Sequence, residues 1–483
     1  MKENHSKSRA EEYILKNKDK IKDLYRPQYH FVTQVGWLND PNGMCFYRGE
    51  YHLFYQYHPY SEEWGPMYWG HAKSQNLCDW IHLPVALAPD SEYDKNGCFS
   101  GTALVEDDEI KLMYTGNLIV DLENKKYRQV QNIAVSKDGI NFNKYEHNPV
   151  IDTDEIPKEA NIFDFRDPKI FKNNDKYYVV IGSKSSDNEG QVLFYESDDM
   201  KKWKYLSKFS LPNMGEMWEC PDFFEIDDKS IMIFSPINKE TENLKFQNSN
   251  PNVYIIGKFD YNTGEFKEEY IGELDSGFDF YAPQTLIDLK GRIIMMAWAN
   301  TWEKEQIPKR KSLGWNGIMT FPREVTLSNN KLMLMPVSEI DFYFKEAYSI
   351  NNILEITNPV DENIKTFKDK KSGRINFKIS NTEKENIIHL CTKEDNKISI
   401  YLSKSKLFIE KKSELEHLKR ELELTENMDE ILEFDILIDN SIIEIFINNG
   451  ELSFTSRLFF EYNSIIDFET INGIISDIKI YYN

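Results

Sequence analysis

A short pattern recurs five times between positions 40 and 296, and this repeat is the strongest constraint on the fold. Each copy has a polar or small anchor residue, an apolar strand pattern, a turn and a second apolar strand. The anchors are Asp40, Ser100, Asp167, Cys220 and Ala282, spaced by 60, 67, 53 and 62 residues. A period near sixty residues holds one four-stranded blade with its loops. The sequence therefore predicts a five-bladed β-propeller.

A second, weaker repeat lies between the anchors and has the same period. Ser74, Ser136 and Ser197 each begin a short polar segment that ends in an aromatic residue, and their spacings are 62 and 61 residues. Two independent series of residues thus indicate the same repeating unit.

Equivalent anchors should converge, because the first strand of each propeller blade lines the central channel. The residues at or beside the anchors are Asp40, Ser100, Arg166, Asp167, Glu219, Cys220 and Tyr281. A packed core does not need three carboxylates and an arginine, so this end of the channel is the candidate functional site.

Composition excludes several classes of partner. The chain has 58 basic and 80 acidic residues and a net charge of −22, which disfavours binding to nucleic acid or to an anionic membrane. No apolar run is long enough to span a membrane, and the charged first 25 residues do not resemble a signal peptide. Five scattered cysteines form no close metal-binding pair and fit a reducing cytoplasm. We therefore expect a cytoplasmic protein without a metal site. A homo-oligomer is possible, and the sequence leaves the oligomeric state open.

The chain is long enough for two domains. Ser8-Arg-Ala-Glu11 has the form of a capping box, and Pro27 ends the helical pattern that follows it. Strands after position 349 alternate apolar and polar residues, and Asn449-Gly450 is a hairpin signal. The sequence predicts an all-β protein in four parts: a helical extension at 1–27, the propeller at 28–337, a linker at 338–348 and a β-sandwich at 349–483.

The three carboxylates have the chemistry of a glycosidase, which uses two carboxyl groups across one glycosidic bond. A rigid, ionised Asp40 suits a nucleophile. Glu219 lies in an apolar and aromatic stretch that should raise its pKa, as a general acid requires. Arg166 should keep Asp167 charged, so that Asp167 can bind sugar hydroxyls and stabilise positive charge. Each residue alone could also serve only in a turn or a surface ion pair.

Aromatic residues beside hydrogen-bonding groups favour a sugar ligand. The predicted substrate-binding residues are Trp37, Asn39, Gln56, Trp64, Phe99, Ser100, Arg166, Tyr281 and Trp298. Trp69 lies in a Tyr-Trp-Gly-His stretch that fits packing equally well.

Eight motifs in order are similar to those of glycoside hydrolase family 32, the invertases, sucrose-6-phosphate hydrolases and fructan β-fructosidases. They are Trp-Leu-Asn-Asp-Pro-Asn-Gly (37–43), Phe-Tyr-Gln-Tyr-His-Pro (54–59), Trp-Gly-His-Ala (69–72), Phe-Ser-Gly-Thr-Ala (99–103), Phe-Arg-Asp-Pro-Lys (165–169), Trp-Glu-Cys-Pro-Asp (218–222), Asp-Phe-Tyr-Ala-Pro-Gln (279–284) and Pro-Arg-Glu (322–324). The resemblance covers nearly everything after position 26.

This resemblance implies a retaining mechanism without metal or cofactor, with Asp40 as nucleophile, Glu219 as acid/base and Asp167 as transition-state stabiliser. Two departures leave the leaving group open: Thr102 replaces the usual serine, and the segment from Trp298 through the loop 304–311 matches neither typical invertases nor typical phosphosucrose hydrolases. The basic loop residues Lys304, Lys309, Arg310 and Lys311 are candidates for a phosphate contact, or else a solvated rim.

The leading hypothesis is an exo-acting β-fructofuranosidase acting on sucrose, sucrose-6-phosphate or short fructo-oligosaccharides. Two alternatives remain. One is a related five-bladed enzyme with inverting chemistry, fructosyl transfer or inulin as its substrate. The other is a sugar-binding propeller without catalysis, which would not need three carboxylates.

Overall fold

The computed structural model describes the chain except for a set of short segments. These are residues 1–4, 125, 303, 305–306, 351–353, 356–371, 381–384, 394–395, 404–405, 425–430, 460–464, 471–473 and 483. None of the helices in the described part is long and apolar enough to cross a membrane.

The N-terminal helix spans Lys7–Asn17, and a 3₁₀ turn at Lys18–Lys20 follows it. The predicted capping box is wrong: the N-cap is Ser6, two residues before Ser8, and it accepts from the N–H of Arg9. Glu11 instead accepts from the N–H of Val85 in the propeller, at 2.6 Å. A contact with the propeller therefore replaces the local contact that the sequence suggested.

The predicted five-bladed propeller is confirmed, and the four strands of each blade form one antiparallel sheet. The strands of blade 1 are Gly36–Tyr47, Glu50–His58, Tyr68–Ser74 and Ile81–Leu87; those of blade 2 are Cys98–Glu106, Glu109–Asp121, Lys126–Ser136 and Asn143–Lys144; those of blade 3 are Ala160–Asn173, Lys176–Ser185, Gly190–Ser197 and Lys204–Ser210; those of blade 4 are Met217–Ile226, Lys229–Ile237, Val253–Phe259 and Phe266–Glu273; those of blade 5 are Tyr281–Ile287, Ile293–Trp298, Arg323–Ser328 and Lys331–Pro336.

Successive blades pack face to face, and each neighbouring pair encloses its own buried apolar cluster. The ring closes between blades 5 and 1, where the short strand Trp315–Asn316 pairs in parallel with Gly36 and Trp37. A 3₁₀ turn at Thr153–Glu155 and a short helix at Ile307–Arg310 lie in the propeller's loops. This packing holds the five first strands side by side around the axis.

The first strand of every blade is irregular at its anchor. The pairing register shifts at the five positions Leu38/Pro41, Cys98/Gly101, Arg166/Lys169, Glu219/Asp222 and Tyr281/Gln284. Asp167, Cys220 and Ala282 have φ angles of +64°, +46° and +52°, which side-chain-bearing residues rarely adopt. Such bulges turn side chains out of the regular alternation, often beside active sites.

The weaker serine repeat marks the same turn in three blades. Ser74, Ser136 and Ser197 each end a third strand, and each hydroxyl contacts a residue two positions later. The period shared by the two series therefore reflects one blade structure.

The C-terminal β-sandwich is also confirmed. One sheet contains Lys345–Ile350, Leu354–Glu355, Ser372–Ser380, Ile431–Asp439, Ile442–Ile447, Leu452–Arg457 and Ile474–Tyr482; the other contains Asn386–Lys393, Asn396–Ser403, Lys406–Lys412, His417–Glu423 and Ile465–Thr470. The predicted linker 338–348 holds the helix Ile340–Tyr343 and the start of the first sandwich strand. Asn449 and Gly450 form the predicted hairpin turn, with φ of +55° and +82°.

Buried charges join the two domains. Asp279 accepts from Lys304 Nζ at 2.7 Å and from the N–H of Arg457 at 2.8 Å. Arg323, from the Pro-Arg-Glu motif, is fully buried, donates to Asp275 at 2.8 Å and lies 3.3 Å from Glu444 of the sandwich. These motif residues thus fix the sandwich against blade 5.

Candidate active site

Asp40 lies in the bulge of blade 1 and is only 7% exposed. Its Oδ1 accepts from Asn39 Nδ2 at 3.0 Å, and its Oδ2 accepts from the Ser100 hydroxyl at 2.7 Å. Burial raises the pKa of Asp40, the two hydrogen bonds oppose that rise, and the charge of Glu219 adds to it. Burial thus works against the ionised form that the sequence predicts for Asp40, whereas the Ser100 and Asn39 donors favour it.

Asp167 comes from blade 3 and lies close to the same group. The Cys220 N–H donates to Asp167 Oδ2 at 3.0 Å, and the Cys220 thiol lies 3.6 Å from Asp167 Oδ2 and 3.5 Å from Asp40 Oδ2. Burial raises the pKa of Asp167 to about 7, against the opposing charge of Arg166. One cysteine therefore bridges two carboxyl groups from different blades.

The partner of Arg166 differs from the prediction. Its Nε and Nη2 donate to Glu219 Oε1 at 3.1 and 2.9 Å, whereas its Nε is 4.0 Å from Asp167. The Tyr281 hydroxyl donates to Glu219 Oε2 at 2.5 Å. The immediate partners of Glu219 are thus polar, and the expectation of an apolar setting is wrong. Neighbours in sequence point in different directions at a bulge, so Arg166 donates its hydrogen bonds to Glu219 and reaches Asp167 only as a more distant charge.

The predicted aromatic residues form two groups. Trp37 packs against Trp298, with ring centres 5.6 Å apart, and Trp302 stacks on Trp37 at 6.2 Å. Trp64 is 46% exposed and contacts Phe99 edge-on at 6.0 Å. Trp298 is fully buried, and its indole N–H has no acceptor among the described residues.

Two other predicted side chains form hydrogen bonds with groups of the protein itself. Gln56 Nε2 donates to the carbonyl of Cys98 at 3.0 Å, and Asn39 Oδ1 accepts from the Trp37 indole at 2.8 Å. Trp69 is fully buried and donates to the carbonyl of Phe99 at 3.0 Å, so packing is its role. These contacts hold the site's walls in place.

Sequence reasoning missed several supporting residues. Asp164 and Gln129 accept from Arg166 Nη1 at 3.0 and 3.3 Å, and the Thr115 hydroxyl accepts from the Asp167 N–H at 2.9 Å. Only Asp164 could have been identified from the sequence, because it is an acidic residue two positions before Arg166. Among the residues that the structure describes, no group of His, Cys, Asp and Glu side chains could hold a metal ion.

The basic loop is only partly available for phosphate. Lys304 donates to Asp279 and to the carbonyl of Phe278 at the domain interface, so its candidacy as a phosphate ligand is wrong. Lys309 is paired with Glu63, next to Trp64. Lys309, Arg310 and Lys311 are exposed. They remain the candidates for a phosphate contact.

Carboxyl groups that converge beside an arginine and stacked aromatic rings fit a glycoside hydrolase that acts on a small sugar. Two sequence profiles match the chain: "Glycosyl hydrolases family 32 N-terminal domain" at residues 30–336 and "Glycosyl hydrolases family 32 C terminal" at residues 337–481. The chain therefore belongs to glycoside hydrolase family 32, and it is an enzyme of the β-fructofuranosidase class.

Individual proteins similar to this chain are also sugar-cleaving enzymes. The chain is 34% identical over 457 residues to a sucrose-6-phosphate hydrolase of Escherichia coli, covering 93% of this chain and 92% of the relative. It is 32% identical over 458 residues to a raffinose invertase of Escherichia coli, covering 90% of each chain. A mutant Bombyx mori family 32 beta-fructofuranosidase in complex with sucrose superimposes with a TM-score of 0.84 at 35% identity, covering 98% of this chain and 97% of that chain.

The pKa of Asp167 predicts how stability depends on pH. Its pKa is raised in the folded protein, so the folded state binds the proton more tightly, and stability falls as pH rises from about 4 through about 7. Asn cannot ionise, so Asp167→Asn should remove this loss of stability at high pH. We expect melting temperatures similar to the parent at pH 4 and higher by about 2 to 5 °C at pH 8.

Asp288→Asn is the matched control for this experiment. Asp288 is as buried as Asp167, but hydrogen bonds from Arg292 outweigh burial and lower its pKa. The same substitution should therefore destabilise the protein at pH 8. An Asp167→Asn variant less stable than the parent at pH 8 would contradict the account.

Proposed function

We propose that the protein is a retaining, exo-acting β-fructofuranosidase that releases fructose from terminal, non-reducing β-D-fructofuranosides. Sucrose, sucrose-6-phosphate and short fructo-oligosaccharides are the proposed substrates. The observation that carries the proposal is the convergence of Asp40, Asp167 and Glu219 from three blades, with Cys220 in contact with both aspartates and Arg166 bonded to Glu219. The similarity to a sucrose-6-phosphate hydrolase and to a raffinose invertase supports the choice of substrates.

In the proposed reaction, Asp40 attacks the anomeric carbon of the fructosyl unit while Glu219 protonates the departing glycosidic oxygen. This step forms a covalent fructosyl-enzyme. Glu219 then removes a proton from water, which attacks the same carbon and releases fructose with net retention. The Ser100 hydroxyl and the Asn39 amide hold Asp40 in place for the attack.

Asp167 and the donors around Glu219 have supporting roles. Asp167 binds fructose hydroxyl groups and stabilises the positive charge that develops at the anomeric carbon. Arg166 and Tyr281 contact different oxygens of Glu219, which restricts the rotation of the carboxyl group. A proton donor fixed in this way loses little entropy when the sugar binds.

The aromatic residues fit an apolar sugar face. Trp37 presents a ring already stacked against Trp302, and the edge of Phe99 contacts Trp64 at the exposed rim. We place the fructosyl unit beside Asp40 and the leaving group toward Trp64. Exposed Trp64 then contributes more to leaving-group recognition than buried Trp298.

The direct test is fructose release from sucrose by the purified protein, with Asp40→Asn as the inactive reference. Release by the parent but not by the variant supports the proposal. A parent protein that binds sucrose without releasing fructose would instead be a sugar-binding propeller.

Leaving-group preference gives a further prediction. If Lys309, Arg310 and Lys311 contact a phosphate on the leaving sugar, kcat/KM for sucrose-6-phosphate should exceed that for sucrose by about 10- to 100-fold. Changing all three to Met should remove this ratio and leave kcat/KM for sucrose unchanged. Equal values for the two sugars in the parent would show that the loop is a solvated rim.

A further inference from the structure

A second ring of side chains lies directly behind the carboxylates. Its members stand two positions after each anchor: Asn42, Thr102, Lys169, Asp222 and Gln284. Each is at most 9% exposed. Buried polar groups of this kind need partners, and their partners lie mostly on neighbouring blades.

Lys169 and Asp222 form the charged part of this ring. Lys169 Nζ lies 2.7 Å from Asp222 Oδ1 and donates to the carbonyl of Thr285 at 2.9 Å. The Thr285 N–H donates to Asp222 Oδ2 at 2.5 Å. Lys169 belongs to blade 3, Asp222 to blade 4 and Thr285 to blade 5, so two side chains connect three first strands.

Those three strands also hold one half of the candidate active site. Asp167 is two positions before Lys169, Glu219 is three before Asp222, and Tyr281 is four before Thr285. Between each pair lies the bulge, where Asp167, Cys220 and Ala282 have positive φ. A strained backbone keeps such a conformation only when the surrounding contacts hold it.

Stability alone explains the pair poorly. A buried ion pair has a large desolvation cost, and an apolar pair of similar volume is often as stable. Asp222 also accepts from its neighbour's N–H at 2.7 Å, and its side chain is fully buried. Both members of the pair are therefore held in place by further hydrogen bonds, so the pair can fix the distance between the strands.

We propose that Lys169 and Asp222 are positioning residues that set the spacing of Asp167, Glu219 and Tyr281 for the reaction. This inference rests on the proposed function. Neither residue needs to touch the sugar. Their effect is expected mainly on kcat, because a displacement of about 1 Å in a reacting group can reduce turnover by about 100-fold.

The test compares two variants in fructose release from sucrose and in thermal unfolding. Lys169→Met/Asp222→Asn removes both charges together, so that neither is left buried and unpaired. Lys172→Met is the matched control: Lys172 lies on the same strand and pairs across blades with Glu106, but it is farther from the anchor. The double variant should lose about 10- to 100-fold in kcat with KM within about threefold. The control should keep the parental kcat.

Lys169→Arg keeps the positive charge and should retain most of the parental kcat. This variant also provides a test if the double variant does not fold. A folded double variant with parental kcat, or an arginine variant as impaired as the double variant, would overturn the inference. If the parent releases fructose and the double variant does so equally well, only this inference is contradicted. If the parent releases no fructose, the proposed function is contradicted as well.

Discussion

Asp40→Asn is expected to lower kcat for sucrose by at least about 10⁴-fold, because the amide cannot attack the anomeric carbon. The substitution preserves the shape of the side chain. The Ser100 hydroxyl can still donate to the remaining oxygen, which it meets at 2.7 Å in the parent. The new NH2 group loses the hydrogen bond from Asn39, so thermal unfolding is measured beside turnover at saturating sucrose, where the loss should appear.

Asp288→Asn is again the matched control, since Asp288 is similarly buried at 6% exposure but belongs to an ion pair with Arg292. It should lower stability and leave kcat unchanged. An Asp40→Asn variant that keeps more than about one hundredth of the parental kcat would exclude Asp40 as the nucleophile.

Glu219→Ala is expected to lower kcat for sucrose by about 10²- to 10⁴-fold, the usual contribution of general acid catalysis. Aryl fructosides have leaving groups of low pKa that need little protonation, so their kcat/KM, which reports the first step only, should fall much less. The comparison of the two substrates separates loss of the acid from general damage to the site.

Glu216→Ala controls for this change. Glu216 stands three positions earlier, and its half-exposed side chain lies 3.6 Å from Lys184. Both substrates should be turned over normally by this variant. Equal losses of kcat/KM on sucrose and on aryl fructosides in Glu219→Ala would show that Glu219 is not the proton donor.

The sequence predicted the architecture well because the propeller repeats. Asp40, Ser100, Asp167, Cys220 and Ala282 are far apart in the chain, but repetition places them at equivalent points of five strands. Symmetry then brings their side chains to one channel without any knowledge of individual contacts. The sandwich was predictable for a different reason, since its strands alternate and Asn449-Gly450 specifies a hairpin.

Individual contacts at the site could not be predicted in the same way. Arg166 binds Glu219 from the next blade instead of its neighbour Asp167, because the bulge turns adjacent side chains apart. Burial, which raises the pKa of both Asp40 and Asp167, depends on how closely the blades pack. Neither the partner of Arg166 nor the burial of the two aspartates can be inferred from neighbouring residues in the sequence.

Long-range contacts explain the remaining differences. Glu11 bonds to Val85 instead of closing a capping box, and Lys304 bonds to Asp279 instead of facing a substrate. Both residues were interpreted from their sequence neighbours. In each case a partner from a distant segment satisfied the charge, as buried or half-buried ionic groups require.

The configuration of the first-formed fructose tests the central claim most directly. Attack by Asp40 followed by attack of water inverts the anomeric carbon twice, so the product should keep the β configuration of the substrate. NMR spectra recorded during hydrolysis of sucrose, before mutarotation, should therefore show β-fructofuranose first. Initial release of α-fructofuranose would contradict the retaining mechanism and the role of Asp40 as nucleophile.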